Sequence, residues 1–199
     1  DRLRSRGLGD VYKRQVLKYL KACRLRKGMV ISMYQIGQCI MYRNIGICKI
    51  EAIGKLGFTS DKEKEYYTLQ PLNMTNHTKI YAPIDTDTFM RDVMTEEEAY
   101  EYLDKLQTMQ TEPFFPKKTV QLTEHYRSLL EGYDMIQHLK LFKEICQKEQ
   151  RTKKDGKKFG QLDANYKNQI ERLLIDEFSY ALNETPDLSR KRLYESVLG

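Results

Sequence analysis

The stretch from Met33 to Asp85 constrains the fold of this chain more than any other, because it contains most of the strand-like sequence. Short segments rich in apolar, β-branched or aromatic residues follow one another there: Gln38–Met41, Ile45–Ile53, Tyr66–Leu69 and Lys79–Ile84. Gly, Asn and Pro residues separate these segments at the spacing of turns. Short strands with such punctuation predict a small antiparallel barrel or curled sheet.

Residues 1–32 are expected to be a non-native leader. Asp10–Gln15 reads like a translated sequencing adapter, and residues 16–32 are basic and lead into two possible start sites, Met29 and Met33. Met33 is the preferred start because the strand-like sequence opens directly after it, and processing segments are set aside before a fold is predicted. The alternative is a native basic arm. Its apolar run is too short and too interrupted for a secretory or membrane signal.

The net charge depends on whether residues 1–32 belong to the protein. The leader holds ten of the 34 Lys and Arg residues and two of the 28 Asp and Glu residues, so residues 33–199 have 24 basic and 26 acidic residues and a net charge of −2. A nucleic-acid function therefore has to rest on local clusters of charge. The four cysteines form no CxxC pair, and Cys39 and Cys48 lie among apolar residues, which favours reduced thiols and a cytoplasmic location.

A helix is predicted after Thr95. Thr95 and Glu98 have the spacing of a capping box, and the acidic first turn suits the N-terminus of a helix. The segment from Asp92 to Glu112 has seven acidic residues against the single cation Lys105. We therefore expect residues 86–112 to form a solvated, acidic helical connector that does not bind a polyanion.

The remainder of the chain reads as a helical bundle. Pro113 and Pro116 exclude regular helix between them and present two Phe residues on a short rigid loop. Helices are predicted over residues 119–131, with Gly132 as the C′ residue, over 135–150, with Asp134 as a cap, over 162–183 and over 188–197. A basic run at residues 148–158, with six cations against two anions, is expected as the loop between the second and third of these helices.

Catalytic chemistry has no support in the sequence. The three histidines, His77, His125 and His138, share no ligand spacing with Cys or acidic residues, and no phosphate-binding or nucleophile motif is present. The carboxylate pairs Asp85/Asp87 and Asp176/Glu177 are typical of surfaces and turns. No metal, cofactor, small-molecule substrate or membrane partner is therefore expected.

The order and spacing of six segments resemble the CarD/CdnL family of bacterial transcription regulators, whose N-terminal module also occurs in transcription-repair coupling factor. The segments are Ile36–Tyr42, Gly46–Ile53, Glu65–Leu69, Ile80–Asp85, Val93–Ala99 and Leu129–Gly132. The resemblance extends over residues 33–183. It implies an α+β fold, in which a small Tudor/SH3-like antiparallel β module at residues 33–85 precedes an all-α helical domain at residues 113–183.

The resemblance implies that the β module docks on the RNA polymerase β subunit by pairing an exposed strand edge with it. The docking strand of the family matches His77–Ala82 in this chain. The polymerase-binding residues implied in this way are Lys55, His77, Lys79 and Tyr81. The alternative is that these residues belong to an ordinary solvent-facing strand and turn.

The resemblance also implies that the helical domain contacts promoter DNA at the upstream edge of the transcription bubble. The family has a Trp at the start of this domain, at the minor groove, whereas this chain has no Trp. The position falls on Phe114/Phe115 or on Lys117/Lys118. A Phe can wedge base steps apart, so either Phe can replace the Trp unless both rings pack on the helices. The DNA-binding residues, which contact the backbone and minor groove without sequence specificity, are expected to be Phe114, Phe115, Lys117, Lys118, Arg127, Lys153, Lys154, Lys157, Lys158 and Lys167.

The sequence therefore predicts a non-enzymatic transcription regulator with two partners, the RNA polymerase β subunit and promoter DNA. The alternative is a protein–protein adaptor that binds polymerase or another partner without touching DNA. The missing Trp and the net charge of −2 favour that alternative. Residues 184–199 lie beyond the resemblance and are treated as a C-terminal tail without an assigned role.

Overall fold

The structure, a computed structural model, describes residues 34–59, 62–73, 78–85 and 89–198, so the predicted leader and His77 lie outside the described residues. Within these ranges one antiparallel sheet of five strands precedes five helices, and the predicted α+β class is confirmed. The strands are β1 (Cys39–Tyr42), β2 (Gly46–Lys55), β3 (Glu65–Pro71), β4 (Ile80–Pro83) and β5 (Met90–Asp92). Their spatial order, β4-β3-β2-β1-β5, leaves β4 and β5 at opposite edges.

One face of the sheet is apolar because the strands alternate in period two. Ile50 lies opposite Leu69, and Tyr67 lies opposite Ala82, and all four side chains are buried in one core. A β-bulge between Ile50 and Ala52 interrupts the register, and it leaves Glu51 and Ala52 exposed. The other face at this end of the sheet is therefore open to solvent.

Strand β5 lies beyond the predicted end of the β module at residue 85. Met90, Arg91 and Asp92 pair with β1, where Arg91 lies opposite Met41. A strand of three residues is too short to show an alternation of apolar and polar residues. The segment predicted as a connector therefore begins inside the sheet.

The helices are α1 (Glu96–Thr108), α2 (Thr119–Glu131), α3 (Met135–Lys154), α4 (Gln161–Ala181) and α5 (Pro186–Leu198). The capping box predicted at the start of α1 is present: Thr95 Oγ1 accepts from the Glu98 N–H at 3.2 Å, and Glu98 Oε2 accepts from the Thr95 N–H at 2.8 Å. None of the helices in the described part of the chain has both the length and the hydrophobicity needed to span a bilayer.

The turn between α2 and α3 differs from its prediction. Gly132 keeps a right-handed conformation, with φ of −66°, and Tyr133 takes the left-handed one, with φ of 51°. The Tyr133 ring stacks on Phe89 with centroids 4.4 Å apart, a contact that a Gly at this position could not make. Asp134 is the N-cap residue of α3, but its side chain makes no capping hydrogen bond.

Helix α1, which was predicted as a solvated connector, packs one face on the helical core and exposes the rest. Ala99, Leu103 and Leu106 are buried in that core. At the C-terminus of α1, Lys143 Nζ donates to the carbonyls of Leu106, at 2.6 Å, and Gln107, at 3.0 Å. A cation at this end satisfies carbonyls that have no partner within the helix, and burial lowers the pKa of Lys143.

Helix α5, in the C-terminal segment for which no role was predicted, also packs in the helical core. Pro186 occupies the first turn of α5, where its missing N–H costs no helical hydrogen bond. Leu193 is fully buried, and Tyr194 meets the Phe142 ring edge-on at 5.4 Å. The helical unit, by which we mean helices α1 to α5, therefore extends to the end of α5.

Candidate functional site

The β4 edge is the outer side of strand β4, and it has the geometry needed to accept another strand. Ile84 donates its N–H to the Glu65 carbonyl at 3.0 Å, so the alternation of the ladder turns Ile80 and Ala82 toward β3. The backbone N–H and C=O of Tyr81 are then directed outward. No strand lies beyond β4 in the described ranges.

Two exposed aromatic residues stand beside the β4 edge. Tyr81 lies opposite Thr68 on the solvent face, and its ring meets the Phe58 ring edge-on, with centroids 5.0 Å apart. Phe58 is 70% exposed and follows Gly57 in the turn after β2. Exposed apolar groups collected in this way mark interaction surfaces. Sequence reasoning missed Phe58, because an aromatic residue in a glycine turn is no signal until its neighbour across the sheet is known.

The lysines predicted to bind polymerase are engaged in ion pairs on the same surface. Lys79 Nζ lies 3.0 Å from Glu51 Oε2, and Lys55 Nζ lies 2.5 Å from Glu63 Oε2. The hydrogen bond and the charge of Glu51 raise the pKa of Lys79. Both pairs are substantially exposed, so a partner carboxylate can compete for either lysine at small cost.

Phe114 and Phe115 lie on the helical unit, and both rings remain partly accessible. Phe114 is 36% exposed and packs on the His125 ring, with centroids 4.4 Å apart. Phe115 is 53% exposed, with Lys148 Nζ 5.1 Å and the Arg151 guanidinium 5.8 Å from its centroid. Each ring therefore has one face held by the protein and one side open to solvent.

A buried polar network lies beneath these two rings. Asp163 Oδ1 accepts from the Tyr126 hydroxyl and from Lys148 Nζ, each at 2.7 Å. His125 Nε2 lies 2.7 Å from Glu144 Oε2 in the same region. Burial raises the pKa of Tyr126, and the hydrogen bond to Asp163 raises it further, so the phenol stays protonated and keeps donating. These contacts fix the helices on which the Phe rings rest.

The basic run predicted as a loop is mostly helix. α3 continues to Lys154, four residues beyond its predicted end, and Lys148 is buried inside the bundle. Arg151, one turn later, is exposed next to Phe115. Arg151 was not among the predicted DNA-binding residues, although its position three residues after Lys148 places the two on one helix face.

Seven of the eight predicted DNA-binding cations fall into two groups. Lys117, Lys118, Lys154 and Lys158 are exposed. Three more are exposed but paired: Arg127 with Glu131, Lys153 with Glu149 and Lys157 with Asp155.

Lys167 does not lie on the surface predicted for it. Its side chain is only 15% exposed, Nζ lies 2.6 Å from Glu149 Oε2, and it sits over the Tyr194 ring. Burial lowers the pKa of Lys167, but hydrogen bonds to Glu149 and Tyr194 outweigh it and hold the pKa above the usual range. Lys167 is thus a largely covered cation that pairs within the helical unit.

The sheet is the part of the chain that a known protein family matches. No curated protein matches the chain. Residues 34–94 match the family model of the CarD-like/TRCF RID domain. The matched segment holds all five strands, including β5, and ends before α1. Over residues 34–94 the chain is therefore similar to the RNA polymerase-interacting domain of the CarD-like and TRCF proteins, and the resemblance predicted from the sequence is confirmed for this segment.

Proposed function

We propose that this protein is a non-enzymatic transcription regulator, which docks on the RNA polymerase β subunit through the β4 edge and stabilises open promoter DNA with residues 113–183. The observation that carries the docking is the outward-facing backbone of Tyr81, on an edge strand inside the matched domain. An added strand gains its affinity from main-chain hydrogen bonds and its specificity from alternate side chains.

The proposed contact with DNA is supported by the surface around Phe115. The half-exposed ring has the exposed Arg151 beside it, and Lys117 and Lys118 follow it in the chain. Apolar side chains can open a base step from the minor groove, at a cost of about a few kcal/mol that further contacts repay. Cations nearby contact phosphates without reading sequence. If three to five phosphates are neutralised, log K should fall with log salt with a slope of about −3 to −5.

The mechanism we propose is differential binding. Contacts to DNA that exist only when the bubble is open shift the equilibrium between closed and open complexes toward the open state. Polymerase docking supplies a high local concentration of the helical unit at the promoter.

The adaptor alternative has one specific observation in its favour. Acidic residues within the protein already pair with Arg127, Lys153, Lys157 and Lys167, which removes much of the positive charge predicted to face DNA. An adaptor would bind polymerase equally well with and without promoter DNA.

Docking is tested with a proline at the edge. Tyr81→Pro removes the outward N–H but no hydrogen bond of the β3–β4 ladder, so the sheet should stay folded while polymerase affinity falls at least tenfold. Tyr81→Ala is the matched control, because it removes the ring and keeps the N–H. Equal losses in the two variants would mean that the ring, and not strand pairing, holds the polymerase.

The DNA contact is tested with Phe115→Ala and forked promoter DNA in a polymerase complex. The DNA-dependent gain in affinity should be lost, while binding to polymerase alone is unchanged. Tyr100→Ala is the control, since it removes an exposed aromatic ring from acidic helix α1. An unchanged gain in the Phe115 variant would favour the adaptor.

A further inference from the structure

A partly buried ion pair joins the sheet to the helical unit. Arg91 is the middle residue of β5, and Glu177 lies near the C-terminal end of α4. The guanidinium binds the carboxylate with both of its terminal nitrogens: Nη2 donates to Oε2 at 2.6 Å, and Nη1 donates to Oε1. Glu177 Oε1 also accepts from the Met94 N–H at 3.2 Å. The Glu177 side chain is 1% exposed.

The two oxygens of Glu177 therefore hold the chain at two points, the Arg91 side chain and the Met94 backbone. These points lie just before α1, where the chain passes from sheet to helices. A bidentate Arg–carboxylate pair fixes orientation as well as distance. Removing the Glu177 carboxylate and most of the Arg91 guanidinium from water costs nearly as much as their attraction returns, so such a pair contributes little net stability. Its main effect is on which arrangement of the two units is populated.

Two further contacts join the sheet to α4 near this ion pair. Together with the ion pair they form the junction between the sheet and the helical unit. Arg172 of α4 donates to the Asn44 carbonyl at 3.3 Å, in the turn between β1 and β2. Gly46, the first residue of β2, has φ of 109°, and a Cβ there would lie in van der Waals contact with an Asp176 carboxylate oxygen at 3.5 Å, so the backbone at this point packs against α4. Partly polar junctions between two units of one chain allow the units to move relative to each other unless specific contacts hold them.

The sheet separates the junction from the β4 edge. β5 and β4 are the opposite edges of one sheet, four inter-strand steps apart, and each step is about 4.8 Å. Hydrogen-bonded ladders connect all four steps. A strand of a partner protein that pairs with β4 therefore lies at a fixed distance from Glu177. It also lies at a fixed distance from the helical unit, to which Glu177 belongs.

We infer that the Arg91–Glu177 pair is a positioning device, which sets the helical unit relative to the β4 edge so that polymerase docking places residues 113–183 at the DNA. The inference rests on the proposed function. Neither residue touches polymerase or DNA in this scheme, and Arg91 and Glu177 act through the geometry that they hold.

The test is a neutral double variant, Arg91→Met/Glu177→Gln. It leaves no unpaired charge buried, and the Gln carbonyl still accepts from the Met94 N–H. Spin labels at Lys49→Cys and Gln150→Cys, both exposed, report the distance between sheet and helices in a chain with Cys23 and Cys39 replaced by Ser. We expect one narrow distance distribution with the native pair, and a distribution at least twice as wide or displaced in the variant.

Binding to polymerase supplies the second readout. The variant should bind polymerase alone within twofold of the native affinity and lose at least fivefold of the gain that promoter DNA adds. The matched control is Lys191→Met/Glu195→Gln, which neutralises an exposed pair on α5. An unchanged distance distribution in the Arg91 variant overturns the inference. Absence of a DNA-dependent gain in the native chain overturns the proposed function instead, while the distances still decide the positioning role.

A conservative variant covers the case in which the double variant does not fold. Arg91→Lys keeps the charge but removes the fork of donors. It should broaden the distance distribution while circular dichroism stays native. A folded Arg91→Lys protein with native distances would contradict the inference.

Discussion

Replacing Lys148 by Met tests whether this cation is a structural residue or part of a DNA-binding surface. Lys148 Nζ lies 2.7 Å from Asp163 Oδ1 and 3.4 Å from the Tyr126 hydroxyl, and all three side chains are buried. Met keeps the aliphatic length but leaves the Asp163 carboxylate buried without its counter-ion. Breaking one side of a buried ion pair costs about 3–5 kcal/mol, out of a typical total of about 5–15 kcal/mol. For a chain of this size Tm should fall by about 6–20 °C.

The assay is urea unfolding followed by far-UV circular dichroism. The double variant Lys148→Met/Asp163→Asn should recover most of the loss, because no charge remains buried and Asn still accepts from the Tyr126 hydroxyl. Lys158→Met, which removes an exposed cation, should stay within about 0.5 kcal/mol of the native protein. A loss below about 1 kcal/mol for Lys148→Met, together with weakened DNA binding, would refute the structural role.

Three further predictions concern single residues. Burial lowers the pKa of His138, whose Nε2 lies 3.0 Å from the Leu130 carbonyl oxygen. Because His138 binds a proton more tightly in the unfolded chain than in the folded one, the free energy of unfolding should decrease as pH falls below about 6.5. His138→Gln should remove this part of the pH dependence. Burial raises the pKa of Cys48 and Cys146 to about 12, so neither thiol should react with DTNB before unfolding, and rapid reaction in the native state would contradict this. Thr95→Ala should cost about 1 kcal/mol in urea unfolding, whereas Thr95→Ser should keep the cap.

Structural features that depend on residues close together in the sequence could be predicted. The capping box depends on residues three apart, and the strands of the sheet have alternation or turn residues that mark them. β5 could not be found in this way, because Met90–Asp92 is a strand only through its pairing with β1. The left-handed conformation of Tyr133 likewise follows from its stacking on Phe89, a residue 44 positions away.

Part of the candidate site could likewise be predicted from the sequence, and part of it could not. The edge position of β4 follows from the resemblance and the strand pattern, but its neighbour Phe58 is brought there by the fold. The pairing of individual lysines could not be predicted, because Lys148 and Lys167 look identical to solvated lysines until Asp163 and Glu149 are placed beside them. The partners are 15 and 18 residues apart and lie on two different helices, whereas side chains that pair within one helix are three or four residues apart.

In the proposed function one chain binds polymerase and the opened promoter together. The decisive measurement is the affinity of the full chain for RNA polymerase, with and without a forked promoter duplex, over a series of salt concentrations. We expect tighter binding in the presence of the fork, and a gain in affinity that shrinks as salt is raised. Equal affinity with and without the fork at every salt concentration would show that the chain does not bind both partners at once.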